Sequence, residues 1–339
     1  MNQRVLLSRH SWPKEVNTME WYKFIPVDTL FFRGAEPMNL GENHTVSHVF
    51  PPPAHTLSGA LRTAVLIQNG VSFEAYGNGK ASAEIVAAIG EAGQPAPFSL
   101  MGPLFMLKGD VYAPAPYSWF IEKDSDKKRE NGKLKIIKGS SVKSRLLKYE
   151  ASQLIWAKGE KGDMVSLGGM WIKKQEIHSV ETMLEVKTSS DFFENEPRTG
   201  IALEKNRRVR EGHFYSFNHA RLKKDVCLFF GTDVKLPLDD KGVLKIGAEQ
   251  RFGRYEKLND KKADMRFSDE GNIYLSLSNT EGTEEANDSV VATGRILYFG
   301  GWDLKIGFHK PMKGFFPAGT VFNKKINNNC IAIKGVETC

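Results

Sequence analysis

Trp21-Tyr-Lys-Phe-Ile-Pro-Val-Asp28 and, beyond a polar stretch, Pro51-Pro-Pro-Ala-His-Thr-Leu-Ser-Gly-Ala-Leu-Arg62 decide the fold class. The first segment, followed by Thr29-Leu-Phe-Phe-Arg33, is rich in aromatic and β-branched residues and reads as a strand that bends at Pro26. Three prolines cannot continue a helix, but a helix can begin after them, and Thr56 has the chemistry of a cap. From there Leu57, Ala60, Leu61, Ala64 and Val65 recur at three and four residues, an amphipathic helix that ends near Asn69-Gly70. The intervening 34–50 has no helical period and reads as a loop.

A second helix is expected from Ala81 to Ile89, followed by a Gly/Pro-rich connection. Two short strands flank Lys108-Gly-Asp110, and another hairpin with a charged tip joins Tyr117–Glu122 to Lys133–Lys138. Further strands are expected at Ile201–Leu203, His213–Leu222, Val226–Gly231, Val243–Gly247, Asn272–Leu277, Arg295–Phe299 and Val321–Asn323. Helices and strands alternate without a βαβ rhythm, so the class is α+β. Residues 186–200 are polar and turn-rich and mark the boundary between a module at 19–195 and another at 196–339. The first 18 residues stand apart as an extension, with Met19 as an alternative start.

The chain has 339 residues, enough for two domains, and its 41% hydrophobic and 26% charged content is that of a globular protein. Cys227, Cys330 and Cys339 form no CxxC pair, which fits free thiols in a reducing cytoplasm. No apolar run reaches the ~18 residues of a membrane span.

The formal charge of +7 is distributed unevenly. Segment 123–148 carries +7 and segment 198–224 carries +6, so the rest of the chain carries −6. In the second segment Lys205, Arg207, Arg208 and Arg210 lead into His213, Phe214, Tyr215, Phe217 and His219. If this stretch is a strand, His213, Tyr215, Phe217 and His219 share one face. Basic side chains neutralise phosphates and flat rings stack on unpaired bases, so this pattern points to single-stranded RNA. A sheet face buried in the core is the competing reading.

Other chemistry is weaker. His44, His48 and His55 lie in or beside the loop without a partner acid at ligand spacing, so no metal centre is expected. His55, at the mouth of the helix, could act as a general base. Gly247-Ala-Glu-Gln-Arg-Phe-Gly253 could let backbone approach a phosphate, with Arg251 and Arg254 beside it. Ser58 and Arg62 share one helix face near the amino end, where free N–H groups favour an anion; a local contact of Arg62 fits equally well. No phosphate loop, HExxH or GxSxG motif occurs, and no cofactor is expected.

Taken in order, several segments resemble the repeat-associated (RAMP) subunits of CRISPR effector complexes. They are Asp28-Thr-Leu-Phe-Phe-Arg33, Phe50-Pro-Pro-Pro53 with Thr56–Arg62, Gly102-Pro-Leu104, and Leu167-Gly-Gly-Met-Trp-Ile172. Gly200-Ile-Ala-Leu203 with Gly212-His-Phe-Tyr215, Gly247-Ala-Glu249, Gly300-Gly-Trp302 and Pro317-Ala-Gly-Thr-Val321 follow. Residues 20 to about 322 are thereby similar to the third Cmr protein family of type III-B systems.

The resemblance implies tandem ferredoxin-like (RRM-like) modules and a non-catalytic role in antiviral defence. It implies a grip on the 5′ handle of CRISPR RNA and contacts to a large polymerase-like Cmr subunit and to the backbone subunit, without a membrane. The Arg33 strand, the Ser58–Arg62 helix and the Gly247 loop would lie near RNA. The family commonly has a second glycine where this chain has Ala248. The enzyme-class rival is a metal-independent RNA-processing endonuclease of RAMP fold, with His55 or His213 as base. A third reading is a scaffold that binds only protein neighbours.

Overall fold

The computed structural model describes residues 19–34, 45–46, 49–123, 132–142, 154–157, 163–258, 267–268, 270–303 and 308–335. His44, His48, residues 1–18 and much of the lysine-rich 123–148 segment lie outside these.

The central element is an eight-stranded sheet whose pairings are all antiparallel. Its strands run, side by side, Val186–Lys187, Trp171–Lys173, Asp110–Pro114, Leu100–Leu107, Val226–Thr232, Glu20–Pro26, Phe252–Leu258 and Lys241–Lys245. Val226–Thr232 is buried at every residue, as its unbroken apolar run requires of a strand covered on both faces. Gly231 leaves room for Trp21: a Cβ there would fall 2.7 Å from the indole, which instead stacks on Phe229 at 4.7 Å and 7°.

The helix Ala54–Gln68 lies across one face, burying Leu57, Ala60, Leu61, Ala64 and Val65, the stripe read from the sequence. Its N-cap is Pro53 and no side chain caps it, so Thr56 is not the cap. The prolines themselves set the entry, placing Thr56 inside the first turn. The helix Ala83–Ile89 is capped by Ser82. A short helix, Phe73–Gly77, has too few apolar positions to show a period.

Residues 186–200 differ from expectation. They form the strand Val186–Lys187, the helix Ser189–Phe192 and the first part of the strand Phe193–Leu203. That strand pairs with Val209–Leu222 in a long ribbon, to which Thr45–Val46 adds in parallel, and its residues alternate between half-buried and exposed without the large apolar side chains that make such alternation legible. The ribbon is anchored by Phe192, whose ring stacks on Phe105 at 4.4 Å and 3°. The boundary expected at 195/196 thus falls within a strand. Strands from both sides of it share one sheet, since Glu20–Pro26 pairs with Val226–Thr232.

Smaller antiparallel sheets follow in the carboxyl-terminal part. Ile273–Ser276 pairs with Cys330–Ile333 and Val321–Phe322, and Leu297–Asp303 with Phe308–Phe316. Phe252–Leu258 and Phe308–Phe316 are strands that sequence reading missed. The described part of the chain is α+β, with several antiparallel sheets and few helices, as the resemblance implies. Among the described residues, no helix is long and apolar enough to cross a membrane.

Candidate nucleic-acid interface

Three segments far apart in sequence meet around a cleft of about 280 Å³, whose lining includes Arg33, Pro53, His55, Gly247, Phe299 and Gly300. Arg33 and His55 are exposed. The His55 ring stacks on Phe315 at 5.5 Å and meets Phe299 edge-on at 6.4 Å, so it is held flat beside the cleft. Ser58 sits one turn further along the same helix and is half-buried.

Gly247 closes the other wall. Its φ is +89°, and a Cβ would fall 2.7 Å from the Phe31 carbonyl oxygen, so only glycine fits this approach. Ala248 donates its N–H to that same oxygen at 2.9 Å. One glycine therefore suffices for the close approach, and alanine occupies the second position without needing a positive φ. Glu249 and Gln250 have φ of +55° and +54° and complete the turn into Phe252–Leu258.

The other expected site residues lie elsewhere. Arg62 points away from the cleft: its guanidinium donates to the Gln94 carbonyl at 2.8 Å, the Glu91 carbonyl at 2.6 Å and the Tyr76 hydroxyl. It fastens the connection after the helix Ala83–Ile89. Arg254 stands on the open face of the central sheet beside Ile25 and Val243. Lys205, Arg207, Arg208 and Arg210 are all exposed at the ribbon's far end, and none forms an ion pair with another described residue. At ~3.3 Å per residue, a strand of 11 residues carries this tip roughly 36 Å from the ribbon's base.

The aromatic stripe divides. His219 is fully buried; its Nδ1 lies 3.0 Å from the Thr29 hydroxyl and its ring stacks on Phe31 at 5.1 Å. Phe217 packs against Phe31 at 5.0 Å. These two rings fasten the ribbon to the segment after the first strand, and the fully buried His219 offers no free stacking face, a correction to the stripe reading. The backbone of Tyr215 pairs with Gly200; its side chain and that of His213 lie outside the described residues.

An ion network missed in the sequence sits beside this contact. Asp28 accepts from Arg198 at 2.8 Å, Arg221 at 3.0 Å and Arg251 at 3.1 Å. Glu196 binds Arg198 and Arg221, and Glu249 binds Arg251 at 3.0 Å. Three arginines thus meet three carboxylates, and Arg251 is not a free phosphate ligand. No spacing rule could find partners such as Asp28 and Arg251, separated by 223 residues.

Burial works against ionised Asp28, but hydrogen bonds from Arg198, the Thr29 backbone and Arg221 outweigh it and hold its carboxyl below the usual value. Arg221 above all, then Arg198, lowers Glu196 likewise. Folded pKa values below the unfolded ones, about 3.9 and 4.3, mean stabilisation that is present above the unfolded values and lost as pH falls from them through the lower folded ones. Thermal melts of Asp28→Asn should show a lower Tm at pH 7 and a shallower decline toward pH 3 than the parent chain. An unchanged acid limb would contradict this account of the network.

A protein-family model described as CRISPR-associated protein (Cas_Cmr3) matches residues 22–273. No curated protein matches. Among solved structures, the chain is similar to one in the type III-B Cmr-β complex bound to cognate target RNA and AMPPnP, seen by cryo-EM. Identity is 14%, coverage is 90% of this chain and 86% of that one, and the TM-score is 0.52. The same complex with cognate target RNA gives 15% identity, 91% and 86% coverage and a TM-score of 0.52.

Proposed function

The chain belongs to the Cmr3 family of CRISPR-associated proteins, and on that premise we propose that it anchors the 5′ handle of CRISPR RNA in a type III-B ribonucleoprotein. The family role is that of a non-catalytic RNA-binding subunit within a type III CRISPR complex. That membership sets aside the endonuclease reading, in which His55 or His213 served as a base.

The convergence of Arg33, His55 and the Gly247 loop on one cleft carries the proposal. Arg33 supplies charge for a phosphate, and the His55 ring, braced by Phe315, supplies a flat face for a base. The basic ribbon tip reaches a more distant part of the same strand and fixes its path. Siblings in the complex, a large polymerase-like subunit and a backbone subunit, then work from a fixed register in the cytoplasm.

The test is RNA affinity. Arg33→Glu with His55→Ala should weaken binding of handle RNA by at least about tenfold, since one phosphate contact and one stacking face are each worth 1 kcal/mol or more. Equal affinity in a filter-binding titration at fixed salt would remove the cleft from the reading.

A further inference from the structure

At one end of the central sheet, the face opposite the helix Ala54–Gln68 is open. Antiparallel register places Val243, Arg254 and Ile25 side by side, with Lys241, Glu256 and Lys23 in the next row and Lys245 opposite Phe252. Ile25 is 49% exposed, Val27 59%, Val243 54% and Phe252 46%. A shallow hollow of about 510 Å³ lies among Lys23, Ile25, Lys241, Val243, Arg254 and Glu256. Scattered apolar residues on a surface need no explanation, but neighbours on one sheet face form a patch.

The net charge of this patch is positive. Glu256 is shared by Lys23 at 2.9 Å and Lys241 at 3.3 Å. Lys245 and Arg254 are exposed and form no ion pair with another described residue. The strand Lys241–Lys245 is also the last in the sheet, so its outer row of backbone groups pairs with no described strand.

We propose that this edge receives an extended protein segment, presented by a neighbouring subunit and paired with Lys241–Lys245, whose every second residue, the set lying on the open face, is acidic and aliphatic in turn. The backbone would supply affinity, Val243 would take an aliphatic side chain and Lys245 and Arg254 the carboxylates, while residues leaving the edge fold over Ile25 and Val27, two strands further in. A second copy of this chain is disfavoured by its own sequence. Antiparallel self-pairing centred on Val243 sets Lys241 against Lys245, a like-charge contact on both sides. RNA fits less well because three of the four exposed apolar residues are aliphatic and offer no stacking plane.

The inference rests on the reading of the chain as a complex subunit, and the experiment separates the two. In the assembled complex, backbone amides of 241–245 should exchange at least about tenfold more slowly than in the isolated chain. Carbodiimide coupling should join Lys241 or Lys245 to a carboxylate of a sibling subunit. With the isolated chain, an octapeptide carrying Glu, Val and Glu at every second position with Thr between them should bind, and Lys245→Glu with Arg254→Glu should weaken it about tenfold or more.

Both altered positions are exposed, so the variant should fold, and an unchanged melt verifies it. A normally assembled complex with unprotected 241–245, coupling only to a second copy, or photocrosslinks from Phe252 to RNA would each overturn the docking. Failure of the chain to enter any complex would instead remove the functional reading. The octapeptide would still decide the docking in that case.

Discussion

Reversing Arg207, Arg208 and Arg210 to Glu should lower affinity for handle RNA about a hundredfold at 0.1 M salt and leave thermal stability unchanged. The three side chains are exposed at the end of the ribbon Phe193–Leu203/Val209–Leu222 and are bound to no described acid. They can therefore condense on phosphates without first breaking an internal pair. Each phosphate neutralised on a single strand contributes about 0.7 to the slope of log affinity against log salt. Three such contacts make a slope change of about 2, which is a hundredfold over one decade of salt.

Fold integrity is expected because the turn is held by its own backbone. Glu204 N–H donates to the Arg208 carbonyl at 2.9 Å and Asn206 Oδ1 accepts from Arg208 N–H at 3.0 Å. Arg207 has φ of +62°, a conformation in which Asn or Gly would do as well as arginine. The contrasting variant is Arg198→Glu, which sits in the Asp28 network and should lower the melting temperature before it alters the salt slope. Parallel salt slopes for the triple variant and the parent would remove the ribbon tip from the RNA path.

The difference between Arg198 and Arg207 marks what the sequence could reveal. Both counted equally in the +6 of segment 198–224. Arg198 and Arg221 are balanced by Asp28 and Glu196, which lie outside the counted window. Linear charge counts cannot see pairing across 170 residues. The same blindness affected the aromatic stripe, where His219 and Phe217 alternate as predicted but face Phe31.

The apolar pattern was a reliable guide wherever it meets the core, as a periodic stripe in the helix Ala54–Gln68 and as an unbroken run in the strand Val226–Thr232. It failed for Phe193–Leu203 and for Phe252–Leu258, whose alternation places Arg254 and Glu256 opposite Gly253 and Tyr255. Such strands have too few large apolar residues to register as a period. The cleft was legible in its parts, since Arg33, His55 and Gly247 were each singled out. Their convergence came only with the fold.

The largest effect on stability is expected at a residue with no side chain. A Cβ at Gly168 would fall 1.9 Å from the Tyr117 ring, at Gly294 2.3 Å from its hydroxyl, and at Gly319 3.4 Å from its ring. Tyr117 is thus enclosed by glycines from three segments. Its backbone is held as well, donating to the Gly319 carbonyl at 2.9 Å and accepting from the Ser166 hydroxyl at 2.8 Å. Gly168 does not have a positive φ, so alanine there meets no backbone penalty and acts through the clash alone.

Gly168→Ala should therefore cost about 3 kcal/mol, the upper range for overpacking, and lower Tm by about 6 °C. Tyr117→Ala should cost a similar amount by opening a cavity, while adding Gly168→Ala to that variant should cost little, because the ring is gone. This coupling distinguishes a ring clash from general intolerance of the turn. Gly294 and Gly319 flank the strands that carry Phe299 and Phe315 to the cleft. Handle-RNA affinity should consequently fall with Gly168→Ala although that residue touches no part of the cleft lining. A melt within one degree of the parent, or additive costs in the double variant, would refute the cage.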